Sequence, residues 1–219
     1  MSSMKRLLLL AAFSAVAAMA PIATATAATF APAGAKIAVD GSSLSLAMTG
    51  ATTLPVVCGS ADTTGTLASP PGATAAIGVP AFAACSRPGF PAGMYADVTA
   101  SGTWSLEATS TTAVTLKGSG LQVAVGAINE KTGEHIAPSC ILNLSAALSV
   151  SGSWSNATHQ LTVSNKPFSY VPVAPSNLMS CWVFGLTNGP SGGVQAGKFS
   201  GSFTLSNASN PGNPITVQP

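Results

Sequence analysis

Charge is what this sequence has least of. Lys, Arg, Asp and Glu make up 6% of its 219 residues, against roughly 25% in ordinary soluble domains. Beyond Lys5 and Arg6, six basic side chains face six acidic ones, so the remainder is formally neutral. With no Lys/Arg cluster it lacks the electrostatic means to hold a phosphate backbone, which argues against nucleic acid as a partner. Histidine is scarce, and no two cysteines stand in a C-x-x-C pair, so zinc-ligand spacing is absent. Asp40, Asp62 and Asp97 are too dispersed for a D-x-D-x-D-G calcium loop. Little is left from which to build a catalytic constellation, and the sequence predicts no enzyme, no cofactor and no metal site. Aromatics, at 6%, are too few for the two girdles of an outer-membrane barrel. No apolar run beyond the N-terminal region is long enough to cross a bilayer as a helix, so the chain does not read as an integral membrane protein. Amphipathic helical windows are also missing, because Gly, Pro, Ser and Thr interrupt them. Disorder is equally disfavoured, since 47% of residues are hydrophobic and the net charge is small.

What is present begins with a leader. Lys5 and Arg6 precede the apolar run Leu7 to Met19, and Ala25-Thr26-Ala27 follows in small residues. That is the order of a secretory signal peptide, assigned here to residues 1–28. Its 13-residue apolar stretch is too short to span a bilayer core, which needs about 20. Residues 29–219 then form a single β-rich domain of an exported protein. In an oxidising compartment Cys58, Cys85, Cys140 and Cys181 are expected as two disulfides, free thiols being the alternative. Three pairings are possible; Cys58–Cys85 and Cys140–Cys181 are favoured because each closes a loop between sequence neighbours.

Alternation of period two supplies the fold. Leu142, Leu144, Ala146, Leu148 and Val150 face one way, and Leu121, Val123 and Val125 alternate too. So do Leu44, Leu46 and Met48, and shorter runs at Leu161-Val163 and Phe203-Leu205. Asp40-Gly41, between Ile37-Val39 and Leu44-Leu46, predicts a tight hairpin. Many short strands with Gly/Pro/Asn turns give an all-β prediction: an antiparallel β-sandwich or partly open barrel. Ser101-Gly-Thr-Trp104 recurs as Ser151-Gly-Ser-Trp154 and Ser200-Gly-Ser-Phe203, at steps of 50 and 49 residues. The recurrence reads either as weak internal duplication, each aromatic plugging a shared core, or as coincidence in a Ser/Gly-rich chain.

Several motifs invite a function, and each has a plainer reading. Gly189-Pro-Ser-Gly-Gly193 matches the hydrolase G-x-S-x-G pattern, yet no helical pattern follows it, so a loop is expected. Glu130, Glu134 and His135 offer acid/base or cation-binding groups, while Lys131-Thr132-Gly133 between them reads as a solvated turn tip. Trp104, Trp154 and Trp182, if exposed, could stack sugars; burial in the core is the safer expectation. Asn143, Asn156 and Asn207 begin N-glycosylation patterns, and the strand Leu142–Val150 should hide Asn143.

With the leader, the mature start and the cysteine layout assembled, the chain resembles the PraB-type "protein activator of alkane oxidation" family of small secreted bacterial proteins. The residues that carry the likeness are Thr29-Phe-Ala-Pro-Ala-Gly34, Leu44-Ser-Leu46 followed by Cys58 and Cys85, and Gly102-Thr-Trp-Ser-Leu-Glu-Ala-Thr-Ser110 leading through Val114-Thr-Leu116 to Cys140. Ser206-Asn-Ala-Ser209 and Ile215-Thr-Val217 extend it, while the chain carries extra sequence around Asn129–His135 and Ser164–Cys181. The resemblance implies a bacterial, secreted or cell-surface, non-enzymatic protein tied to biofilm matrix or to growth on hydrophobic substrates. Independently of it, a sheet protein short of Lys and Glu lacks the charges that blunt exposed strand edges, which favours self-association or adhesion to other surface components. The alternative is an extracellular carrier of alkanes or envelope lipids, which requires a cavity lined by residues such as Leu142, Leu144, Val123 and Val125.

Overall fold

The alternating runs become strands in the computed structural model, which describes residues 27–49, 53–89, 92–129, 131–136, 138, 140–144, 147–173, 181 and 193–219. In chain order these are β1 (Thr29–Ala31), β2 (Lys36–Thr49), β3 (Thr53–Thr66), β4 (Thr74–Ile77), β5 (Ala81–Ser86) and β6 (Met94–Ser110). Then follow β7 (Ala113–Ala127), β8 (Cys140–Leu144), β9 (Leu148–Ser155), β10 (Gln160–Pro172), β11 (Gln195–Asn207) and β12 (Thr216–Gln218). The architecture is all-β and antiparallel. β1 and β12 form a two-stranded ribbon, and the other ten strands form one sheet ordered β11-β2-β3-β4-β6-β7-β8-β10-β9, with β5 alongside β3. Further ladders of β11 with β10 and of β7 with β9 bring the ends of that order together, so the sheet closes on itself around the core. Two positions in the ring hold broken strands. β8 and β9 follow one another between β7 and β10. β4 and β5 likewise follow one another along β3, but only β4 forms a ladder with β6, leaving a seam beside β5.

Long strands serve this ring by changing phase midway. In β2 the buried positions are Ile37, Val39 and Gly41, then Leu44, Leu46 and Met48. Odd gives way to even at Ser43, whose φ is 53°. β7 does the same at Gly120 (φ 65°), between Leu116 and Leu121, and β10 at Asn165 (φ 50°), between Val163 and Phe168. An extra residue in a ladder bends the strand, and the bend lets both halves keep their apolar side on one core. This corrects the expected hairpin at Asp40-Gly41: both residues lie inside β2, paired with β3 and β11. The glycine serves packing there, since a Cβ would lie 3.1 Å from Phe203 Cε1 and 2.7 Å from Ala61 O. The expected single strand Leu142–Val150 is interrupted between β8 and β9, opposite the bend of β7 at Gly120. Leu142, Leu148 and Val150 are buried as expected, whereas Leu144 and Asn143 are half-buried and Ala146 lies outside the described residues.

The core rests on aromatic rings laid over glycines in the neighbouring strand. Tyr95 is the register partner of Gly126, Trp104 of Gly118, Phe168 of Gly197 and Phe203 of Gly41. At Gly126, Gly118 and Gly197 the nearest ring atoms occupy the space a Cβ would need; at Gly41 the Phe203 ring comes close and the Ala61 carbonyl takes that space. A missing side chain in one strand thus becomes a seat for a ring from the next.

Both disulfides are formed, in the sequence-neighbour pairing. Cys58–Cys85 ties directly paired residues of β3 and β5, and Cys140–Cys181 ties the start of β8 to the buried Cys181. Sequence separations of 27 and 41 residues correspond to about 3–4 kcal/mol each by restriction of the unfolded chain.

Candidate functional site

The recurrent Ser-Gly-x-aromatic tetrads have a shared local role. Trp104, Trp154 and Phe203 are all buried. Each leading serine reaches a neighbouring strand: Ser101 Oγ donates to Gly120 O (3.3 Å), Ser151 Oγ meets Thr115 Oγ1 (2.7 Å), and Ser200 Oγ accepts from Asn165 N (2.9 Å). Two of these hydroxyls therefore hold the residues at which β7 and β10 bend. Buried, Trp104 and Trp154 offer no platform for a sugar, and Trp182 lies outside the described residues.

Among the described residues the apolar side chains pack into one continuous cluster. An apolar space bordered by Val39, Ala61, Phe82, Trp104, Phe199 and Phe203 has a volume of about 10 Å³, at most enough for one water. Val123, Val125 and Leu142, expected to line any ligand cavity, are packed in the core.

Of the charged groups singled out from the sequence, His135 and Asp97 meet. His135 Nδ1 lies 2.9 Å from Asp97 Oδ2, and both side chains are nearly half exposed. The imidazole stacks on Tyr95, with ring centroids 3.9 Å apart and planes 5° from parallel. The Tyr95 hydroxyl donates to Ile136 O (2.8 Å). Burial, and then the charge of Asp97, push the Tyr95 phenol above its ordinary pKa. The neighbouring turn closes through Asn129 N to Glu134 O (2.8 Å) and the Ile128–His135 bridge, with Lys131, Thr132, Gly133 and Glu134 exposed. The stretch is a solvated turn tip, clamped to β6 by the imidazole; Glu130 lies outside the described residues. Asp40 and Asp62, distant in sequence, are direct cross-strand partners, exposed on β2 and β3. Among the described residues no group of three or more His, Cys, Asp or Glu could hold a metal ion. Of the G-x-S-x-G motif only Gly193 is described; the strand β11 follows it, where a nucleophile elbow needs a helix.

The most elaborate polar arrangement lies where the chain's last strand docks. Asn156 Oδ1 accepts from Trp154 Nε1 (2.6 Å) and from Val217 N (2.8 Å), while its Nδ2 donates to Val217 O (2.9 Å). One side-chain amide thus pairs with β12 as a neighbouring strand would. His159 Nδ1 donates to Ile215 O (2.9 Å). On its other side β12 pairs with β1, and Phe30, Ile215 and Val217 are buried together with the core. The sequence marked Asn156 only as a glycosylation pattern; its role depends on Val217, 61 residues away.

Among the described residues no helix is long and apolar enough to cross a membrane. No protein-family model, curated protein or solved structure matches the chain. Two disulfides suit an oxidising, extracellular-type environment.

Proposed function

We propose that this is an exported, non-enzymatic structural or adhesive protein of a bacterial cell surface or matrix, acting by contact with its own copies or with other surface components. The observation that carries the reading is a packed apolar cluster among the described residues beneath a surface of hydroxyls with few charges. Ser153, Thr162, Ser202, Ser42 and Ser60 are successive register partners across β9, β10, β11, β2 and β3, all exposed or half-buried. Such a face has little charge to repel a neighbour. The family resemblance and the leader at residues 1–28 support the same reading. The alternative, a carrier of alkanes or envelope lipids, draws no support from the apolar core space of about 10 Å³, since small-molecule sites occupy roughly 300–1,000 Å³; a cleft of about 350 Å³ beside Pro211 and Pro214 has that size but is bordered by His159, Thr204, Ser206 and Asn207 as well as by apolar groups. Light scattering and electron microscopy of the purified exported protein test the proposal. Multimers or fibres that mild salt does not dissolve are expected, and a strictly monomeric protein at high concentration refutes it.

A further inference from the structure

We propose that the segment Ile215–Gln218 exchanges between copies of this chain, so that β12 of one molecule seats between β1 and Asn156 of another. The inference rests on the assembly reading above and supplies its contact.

The ring leaves few strand edges for generic pairing, so assembly needs a detachable element. β12 is three residues long, has a ladder on one side only, and is held on the other by the Asn156 amide. The seven residues 208–214 that lead to it are all exposed and include Pro211, Gly212 and Pro214. Ala208 N donates to Lys36 O (2.8 Å) and Lys36 N to Ser209 Oγ (3.3 Å), which keeps the first two of them on β2; beyond these the cleft of about 350 Å³ lies between Pro211 and Pro214 on one side and His159, Leu205 and Asn207 on the other. Extended, the five residues 210–214 reach about 16–18 Å, the span over which β12 swings out of its own seat.

The occupant is a second copy of the same segment, which by construction presents the same Ile215, Val217 and backbone groups to the same seat. Exchange gives up little. Asn207 Oδ1 keeps the amides of Ser209 and Asn210, and Lys36 keeps Ala208 and Ser209, while the bonds that fold the rest of the linker are Asn207 Nδ2 to Asn213 O (2.8 Å) and Asn213 N to Asn210 O (3.0 Å). What opposes exchange is the entropy of association, overcome once protein concentration exceeds that of the tethered segment, about millimolar for a short flexible linker. A protein accumulating on a surface or in a matrix meets that condition. Each molecule donates one segment and accepts one, a heterologous contact that propagates into a filament unless its rotation closes a ring.

The test uses the full chain, exported from a bacterial host, carrying Thr29→Cys and Gln218→Cys, which are direct partners across β1 and β12. The protein is concentrated to about the millimolar range, oxidised, and analysed by native light scattering and by denaturing, non-reducing electrophoresis. Reducible covalent dimers and higher multimers are expected. Native multimers that separate into internally cross-linked monomers overturn the exchange and leave the assembly reading standing; monomers in both measurements overturn both. In case the double variant fails to fold, the unsubstituted chain is refolded with about a tenfold excess of a peptide spanning residues 208–219, which ends chain growth by filling seats. A fall of about twofold or more in mean multimer mass is expected, and an unchanged mass overturns the exchange.

Discussion

Gly118→Ala tests whether rings seated on glycines hold this protein together. Gly118 lies inside β7, opposite Trp104, and its φ is not in the left-handed region. On backbone grounds alone, alanine in a strand interior is favoured over glycine by about 0.5–1 kcal/mol. The structure reverses that sign, because the new Cβ would fall within contact of Trp104 Cε3, Cδ2 and Cζ3. The ring has two ways to respond. It can stay while its neighbours shift, an overpacking cost of about 1–3 kcal/mol. Or it can leave the core, losing about 150–250 Å² of burial at about 25 cal/mol per Å², roughly 4–6 kcal/mol. Departure would also break the bond from Trp104 Nε1 to Ser101 O (2.9 Å). The cheaper route sets the outcome, and with the ring buried and tethered we expect about 3 kcal/mol of destabilisation. Urea denaturation followed by circular dichroism measures it, because the indole signal is itself altered. The decisive comparison is Gly118→Ala in a Trp104→Leu background, where the added methyl should cost less than about 1 kcal/mol. Equal costs in the two backgrounds, or a single variant within about 0.5 kcal/mol of the parent, would refute the reasoning.

Asn156→Ala removes three hydrogen bonds from β12 and Trp154; because the side chain is exposed and water can replace part of what is lost, about 2 kcal/mol is expected, with faster amide exchange at Val217. Unchanged exchange there would show that the amide does not hold the strand. Asp62→Asn relieves a like-charge cross-strand pair with Asp40 and should stabilise by about 0.5 kcal/mol at low salt, the gain shrinking as salt rises; thermal melts at two ionic strengths check both. Alkaline titration reports on the two tyrosines. Burial pushes Tyr170 up to about 12, and Tyr95 is raised as well. A raised folded-state pKa means that this stabilisation is complete below the unfolded value of about 10 and is lost as pH climbs from there through the folded one. Tyrosinate absorbance of the folded protein should therefore lag that of the urea-unfolded chain, and superimposed curves would contradict the burial.

What a single sequence revealed here was period, and what it hid was partnership. Leu44, Leu46 and Met48, or Leu121, Val123 and Val125, announce strands because a half-buried strand repeats every two residues whatever lies beside it. The tetrads were visible because serine, glycine and aromatic sit within four consecutive positions, while the partners of each serine and ring lie in other strands. Asp40-Gly41 misled because the same pair suits a turn, where glycine supplies freedom, and a strand interior, where it supplies room. Ala61 and Phe203, in the strands on either side, decide between them. The phase changes at Ser43 and Asn165 left no trace in composition, since a bend is required only once neighbouring strands must share a core. The candidate sites divide in the same way. His135 stood out, but Asp97 joins it across 38 residues and Tyr95 beneath it carried no signal at all. Asn156 looked like a modification pattern until β12 lay against it. A near-absence of charge sharpens this limit: with few ion pairs to specify register, the protein relies on shape, on rings over glycines and on an amide against a strand. Those fits exist only between segments. β12 finds its seat through its ladder with β1 and the side chains of Asn156 and His159, and every other copy offers the same groups.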